Sequence, residues 1–374
     1  MKHSFQKLVA VIFAFVMSSA EAATFVYVSN AADGTISSYK LNPFDGAMEV
    51  LATTPAGKSV MPLAVSPDKR FLYASIRSQP FSVASYSIDA KSGALTQLST
   101  TGLPDSMAYI STDRTGRYLF GASYGGDVIS VNPIGLNGQA IGTVTQVVKT
   151  GRMAHAILPS PSNRFVYASN LGSGQLLQFT FDESNGLLKA NTPAFALPMG
   201  NPGTRHFVFS PNGKFVYASN ELLGTVSTYA FDNATGLLSL VESVPGVPAS
   251  LGLKDGVIFP PGSPADSTPR IWAADLHITP NGKFVYMSER ISSTISAFGV
   301  DATTGKLIFL GSTPVEKQPR GFNIDSDGKY VVVTGEKSPE IGVYAIGQTD
   351  GTLTLLKRYP AGQGANWVEI VEFK

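Results

Sequence analysis

Apolar and polar residues alternate in short runs along almost the whole chain, and the runs repeat. The clearest case is residues 201–222, NPGTRHFVFSPNGKFVYASNEL, where an apolar strand, a Ser-Pro-Asn-Gly turn and a second alternating strand follow one another. Aligning such stretches on the aromatic residue that opens the second strand gives Phe25, Phe71, Tyr118, Phe165, Phe215, Phe284 and Tyr330. The intervals are 46, 47, 47, 50, 69 and 46 residues. The strands read FVYVSN, FLYASI, YLFGAS, FVYASN, FVYASN, FVYMSE and YVVVTG. Six of the seven follow a tight turn such as SPDKR, STDRTGR or SPNGK, the Asp, Asn, Gly and Pro chemistry that short hairpins need. Each unit goes on to a third strand (TVSTYAFD, for example), a turn of the type DNATGLL and a fourth strand. Four short strands every 47 or so residues, with no helical period, predict the blades of a propeller.

The two ends predict how the ring closes. The chain enters at a second-type strand, residues 25–30, and leaves on an unpartnered one, residues 367–373. Pairing the two completes a seventh four-stranded blade and removes the exposed sheet edges. The expectation is an all-β, seven-bladed β-propeller forming one domain over residues 23–374. The long interval places an insertion at 244–269, rich in Pro, Gly and Ser, which reads as a loop at the rim. Loops of that length serve as lids or as decoration, and the sequence does not choose between them.

Composition changes this picture at the N-terminus. Lys2 and Lys7, an apolar run over 8–17 and the triplet Ala20-Glu21-Ala22 have the order of a secretory signal. The run falls short of the roughly 20 apolar residues that span a bilayer. The mature protein is therefore expected to be periplasmic, soluble and monomeric, beginning near Ala23. The absence of cysteine excludes thiol redox chemistry and thiolate metal sites. Removing Lys2, Lys7 and Glu21 takes 28 basic and 27 acidic residues to 26 of each, so nothing electrostatic favours nucleic acid or an anionic membrane.

Candidate chemistry comes from register. In a propeller the first strand of each blade lines the central channel and starts on the face where the second strand ends. Six residues before the turn position held by Pro67, Pro161, Pro211, Pro280 and Ser326 lie Met61, His155, Arg205, Ala274 and Arg320. Six residues after the aromatic of each second strand lie Ala31, Arg77, Tyr124, Leu171, Glu221, Arg290 and Glu336. His155, Arg205, Glu221 and Arg320 are expected to surround one pocket, with Arg77, Tyr124 and Arg290 as further substrate contacts. An acid, an imidazole and guanidiniums suit an ester or lactone, whose carbonyl oxygen must become an oxyanion. Either His155 or Glu221 could take the proton from water. The mature chain's three histidines, His155, His206 and His277, lie at different depths, which argues against a zinc site. His206 shares its level with Asp275 of the next blade, so a bond between blades is expected, with substrate contact as the functional reading. No cofactor or metal is expected.

The runs TRHFVFSPNGKFVYASNEL, WAADLHITPNGKFVYMSER, KQPRGFNIDSDGKYVVVTGEKS and AGQGANWV closely resemble the seven-bladed propeller lactonase family. That family includes bacterial 6-phosphogluconolactonase and fungal carboxymuconate cyclase. The resemblance covers essentially the whole mature chain. It implies metal-independent opening of a sugar lactone by a His, Arg and Glu cluster, which maps by motif onto His155, Arg205, Glu221 and Arg320. A phosphorylated gluconolactone is made in the cytoplasm, whereas this chain begins like an exported one. The expected substrate is therefore D-glucono-1,5-lactone, with 6-phosphogluconolactonase and a non-catalytic envelope propeller as alternatives.

Overall fold

A computed structural model describes residues 23–259 and 266–373. The segment read as a signal peptide, 1–22, lies outside the described residues, as do 260–265 of the insertion. Seven four-stranded antiparallel sheets form a closed ring. Blades 2 to 7 take their four strands in chain order, over residues 60–102, 107–149, 154–196, 204–245, 273–314 and 322–360. Blade 1 is composite: Ala23–Asn30, Thr35–Leu41 and Met48–Pro55 form its outer three strands, and Ala365–Phe373 lies innermost. That last strand pairs with the first from Ala23 opposite Phe373 to Asn30 opposite Ala365, so the first and last described strands share one sheet. Each innermost strand packs on the innermost strand of the next blade, all the way round. Among the described residues, no helix is long and apolar enough to cross a membrane.

The repeated residues have specific tasks. In the SPNGK turn, Ser210 Oγ accepts a 2.9 Å hydrogen bond from the Phe215 N–H and donates at 2.7 Å to Asn212 Oδ1. Where another blade has Asp in place of Ser, a carboxylate does the same: Asp113 accepts from the Tyr118 N–H at 2.9 Å and Asp325 from the Tyr330 N–H at 2.7 Å. The second repeated turn carries a glycine at positive φ that lies on the opening aromatic of the preceding blade. Gly93 sits on Phe25, Gly138 on Phe71, Gly186 on Tyr118, Gly236 on Phe165, Gly305 on Phe215, Gly351 on Phe284 and Gly46 on Tyr330. A Cβ at any of the seven would stand 2.2–2.7 Å from the ring. Glycine is thus required twice over, for its φ and for the close approach. This glycine-on-aromatic contact joins every blade to its neighbour.

The core follows from that geometry. Second strands such as Phe165–Asn170 are buried at every position, because both faces meet a neighbouring blade. Seven apolar clusters among the described residues fall one to each blade interface. The fourth strands are mostly exposed, as an outer edge facing water should be. The insertion begins two residues later than its composition suggests. Val244 and Pro245 still pair with Val226 and Thr225, so the blade 5 ladder runs on to Pro245.

Candidate active site

The innermost strands are bulged where they begin. The ladder skips between Val60 and Leu63, Met107 and Tyr109, Ala154 and Ala156, Thr204 and Phe207, and Ala273 and Leu276. A bulge releases residues from the pairing pattern and re-aims their side chains. The released residues include Met61, Ala108, His155, Arg205, His206, Ala274 and Asp275, so the register positions singled out in the sequence are bulge positions. Arg320 just precedes the short strand Phe322–Ile324. Arg77, Tyr124, Glu221 and Arg290 each follow the last residue of a second strand.

These two sets meet in a cavity of about 270 Å³, lined by Arg77, Ala108, Tyr124, His155, Glu221, Trp272, Arg290 and Arg320. Six of the eight were named from sequence. Ala108 holds the same register in blade 3, but its methyl side chain carries no chemistry to mark it, and Trp272, flanking a first strand, reads from the sequence as a packing residue. Arg205, His206 and Asp275 are not among the lining residues. All three are buried beneath the cavity, and His206 and Asp275 border the central channel. The structure therefore does not bring Arg205, His206 or Asp275 to the cavity surface, since their charged or polar heads are turned onto one another.

Glu221 is the electrostatic centre. Its Oε2 lies 2.8 Å from Arg205 Nε and 2.8 Å from Arg290 Nη2, while Oε1 accepts a 2.9 Å hydrogen bond from Trp272 Nε1. The Arg205 Nε–H is too oblique to that carboxylate for a hydrogen bond, so the contact is an ion pair only. Arg290 also donates from Nε to the Trp272 carbonyl at 3.1 Å and stacks 3.6 Å from the centre of the Trp272 ring. Arg320 reaches Glu336 at 3.3 Å. Arg77 donates to Ser106 Oγ at 3.1 Å, and no described carboxylate pairs with it. Burial, with repulsion from Arg320, lowers the Arg77 pKa to about 10, and it stays charged at neutral pH.

His155 is 4% exposed, its ring 5.8 Å from Tyr124 and 5.1 Å from His206. Its Nδ1 is buried, and no described residue hydrogen-bonds it. Burial, then the charge of Arg205, holds its pKa well below the ordinary histidine value, so the ring is neutral. Burial raises the Tyr124 pKa, helped by Glu221, so the phenol keeps its proton.

Below the cavity, His206 Nδ1 is 2.7 Å from Asp275 Oδ1, joining blades 5 and 6, and His206 Nε2 is 3.2 Å from Arg205 Nη1. Arginine only donates, so Nε2 must accept and Nδ1 must carry the proton. The neighbours thereby fix a neutral tautomer, and burial with the Arg205 charge takes its pKa down to about 3. His277 Nε2 lies 3.3 Å from Asp275 Oδ2, and its pKa is raised: burial opposes the cation, but Asp275 outweighs it. Among the described residues, no group of three His, Cys, Asp or Glu is arranged to hold a metal ion.

The shift at His206 has a consequence for stability. Between about pH 6.5 and 3 the unfolded chain takes up a proton at this residue that the folded chain refuses. The stabilisation is complete above the unfolded value and is lost as pH falls, at about 1.4 kcal/mol per pH unit. Urea unfolding of the wild type and His206→Asn, at pH 6.5 and 4.5, should show the wild type losing about 2–3 kcal/mol more than the variant. Equal losses would mean that His206 is not held neutral.

The chain matches the family model described as "Lactonase, 7-bladed beta-propeller" over residues 24–370. It is 38% identical over 313 residues to the 6-phosphogluconolactonase of Serratia proteamaculans, covering 83% of this chain and 88% of that one. It is 37% identical over 312 residues to that of Pectobacterium carotovorum, with the same two coverages, 83% and 88%. Two solved structures share the fold. The periplasmic gluconolactonase PpgL of Pseudomonas aeruginosa superposes with a TM-score of 0.80 at 24% identity, covering 94% of this chain and 99% of that one. A Lactobacillus plantarum protein does so with a TM-score of 0.80 at 22% identity and the same coverage, 94% and 99%. With the family model spanning all seven blades and relatives well above a third identical along most of their length, this chain belongs to the seven-bladed β-propeller lactonase family.

Proposed function

We propose that this lactonase opens D-glucono-1,5-lactone to D-gluconate in the periplasm. The hydrolytic reading is carried by one observation: a buried, neutral His155 and the guanidiniums of Arg77 and Arg320 line the same small cavity. A neutral imidazole can take a proton from water, and the cations can hold the negative charge that develops on the carbonyl oxygen. The ring oxygen, leaving as an alkoxide, then recovers the proton from the imidazolium. Of the two candidate bases, His155 is the better suited, because both oxygens of Glu221 are already engaged. Glu221 instead fixes Arg205, Arg290 and Trp272. Arg205 acts through this network and its field, since it does not line the cavity.

The unphosphorylated substrate is supported by the export-like order of residues 1–22. The Pseudomonas neighbour, a periplasmic gluconolactonase, points the same way. A second reading, 6-phosphogluconolactonase, is favoured by the names of the curated relatives and by Arg77, which has no described carboxylate partner and could hold a phosphate. The test compares glucono-1,5-lactone with its 6-phosphate, spontaneous hydrolysis subtracted, on the protein starting at Ala23 and on Arg77→Met. A higher kcat/KM for the unphosphorylated lactone is expected. A preference for the phosphate that Arg77→Met abolishes would make the second reading correct, and no turnover of either would overturn both.

A further inference from the structure

We infer that the site also hydrolyses lactones whose ring carries an apolar substituent, such as an alkyl chain, and that the chain lies in a second cavity beside the first. The inference rests on the hydrolytic reading above and adds a substrate class to it.

The second cavity, about 390 Å³, shares Tyr124, Glu221 and Trp272 with the first, so the two adjoin along those residues. Its remaining wall is mostly apolar, with Leu171, Val257, Phe259, Ile271 and Ile291 prominent. Its charged groups beyond Glu221 are Asp266 and Arg270, which pair with each other at 2.7 Å. Such a wall offers nothing to a phosphate, but it gains by covering hydrocarbon. Val257, Phe259 and Ile291 are 44%, 48% and 45% exposed, more water contact than large apolar side chains need in a closed fold.

Part of that wall, Val257 and Phe259, belongs to the insertion, which none of the other blades has. The insertion is seated firmly at the site. The Gly256 N–H donates to the Leu222 carbonyl at 2.6 Å, Lys254 bridges to Arg270, and the Ala273 N–H donates to the Glu221 carbonyl at 3.1 Å. A Cβ on Gly256 would stand 2.8 Å from the Leu222 Cα, so this backbone is pressed against the end of the second strand. Six blades close without such a segment. Its effect here is to build hydrocarbon wall next to Glu221 and Trp272.

The chemistry is the same ring opening. The oxygen of water bonds to the carbonyl carbon as its proton passes to His155. The bond from that carbon to the ring oxygen breaks, and the ring oxygen takes the proton. The product is a hydroxy acid bearing the chain, with no further reactant.

The experiment compares δ-valerolactone with δ-decalactone, the same six-membered ring bearing a pentyl chain. Wild type, Val257→Asp and Ile291→Asp are each assayed, and both substituted positions are half-exposed, so a charge there is compatible with folding. Binding of the corresponding non-hydrolysable lactams is followed in parallel by fluorescence of Trp272, one of two tryptophans in the chain. Each buried methylene is worth roughly fourfold, so a partly covered pentyl chain should raise kcat/KM and lactam affinity about tenfold. Both variants should bring the ratio of chain-bearing to bare ring close to one. Turnover of both lactones with no chain preference, or a preference that survives both variants, would overturn this inference and leave the hydrolytic reading standing. Chain-dependent lactam binding with no turnover of either lactone would instead overturn hydrolysis at this site.

Discussion

Replacing His155 by Gln is expected to lower kcat on the lactone about 10²–10⁴-fold, with KM changed little and the fold intact. Gln fills nearly the same space and cannot take a proton from water at neutral pH. His155 occupies the bulge at the start of the blade 4 inner strand, and no described residue hydrogen-bonds its Nδ1. Losing the ring therefore leaves no orphaned partner and has little structural cost. Steady-state kinetics with a circular dichroism control would check the result. A kcat within a few-fold of wild type would remove His155 from the chemistry.

The pH dependence gives a second reading of the same residue. Burial and then Arg205, His206, Arg320 and Arg77 all disfavour the imidazolium, which puts its pKa well below the ordinary histidine range. A base works while unprotonated, so activity is present above that pKa and lost as pH falls through it. The acid limb of kcat/KM should lie clearly below pH 6.5, with a plateau across neutrality, and His155→Gln should abolish that limb.

The ring was legible in the sequence because its repeated residues make repeated contacts. An aromatic, a capping Ser or Asp and a glycine recur, since each blade must meet its neighbour in the same way: Gly236 on Phe165 is the same contact as Gly93 on Phe25. The face and level of the site were legible for a related reason. Strand ends and turn positions count residues along the axis, and that counting brought His155, Glu221, Arg320, Arg77, Tyr124 and Arg290 to one cavity. Spacing does not encode depth. Arg205 shares the register of His155, yet it is released together with His206 from a wider bulge, skipping from Thr204 to Phe207, and turns inward onto Glu221 and His206. Nor does spacing reach Trp272 and the apolar wall. The insertion has no period, and its path is set by single backbone bonds such as Gly256 to Leu222.

Glu221→Gln is expected to cost about 3–5 kcal/mol of stability, the range for removing one partner from a buried ion pair. Glu221, Arg205 and Arg290 have side chains only 10%, 1% and 2% exposed, so water cannot replace the lost charge. The amide oxygen can still accept from Trp272 Nε1. The amide nitrogen, however, would face two guanidiniums that only donate. Two buried cations would then repel each other without the carboxylate between them, and the burial and repulsion that already lower the Arg205 pKa to about 9 would be opposed only by the weaker pull of Asp275. Adding Arg290→Met should recover part of the loss, because deleting both partners of a buried pair is much milder than deleting one. Urea unfolding at neutral pH measures both. A Glu221→Gln protein with the wild-type midpoint, yet no turnover, would reverse the roles argued above: Glu221 would be the base, and its ion pairs would not be holding the site together.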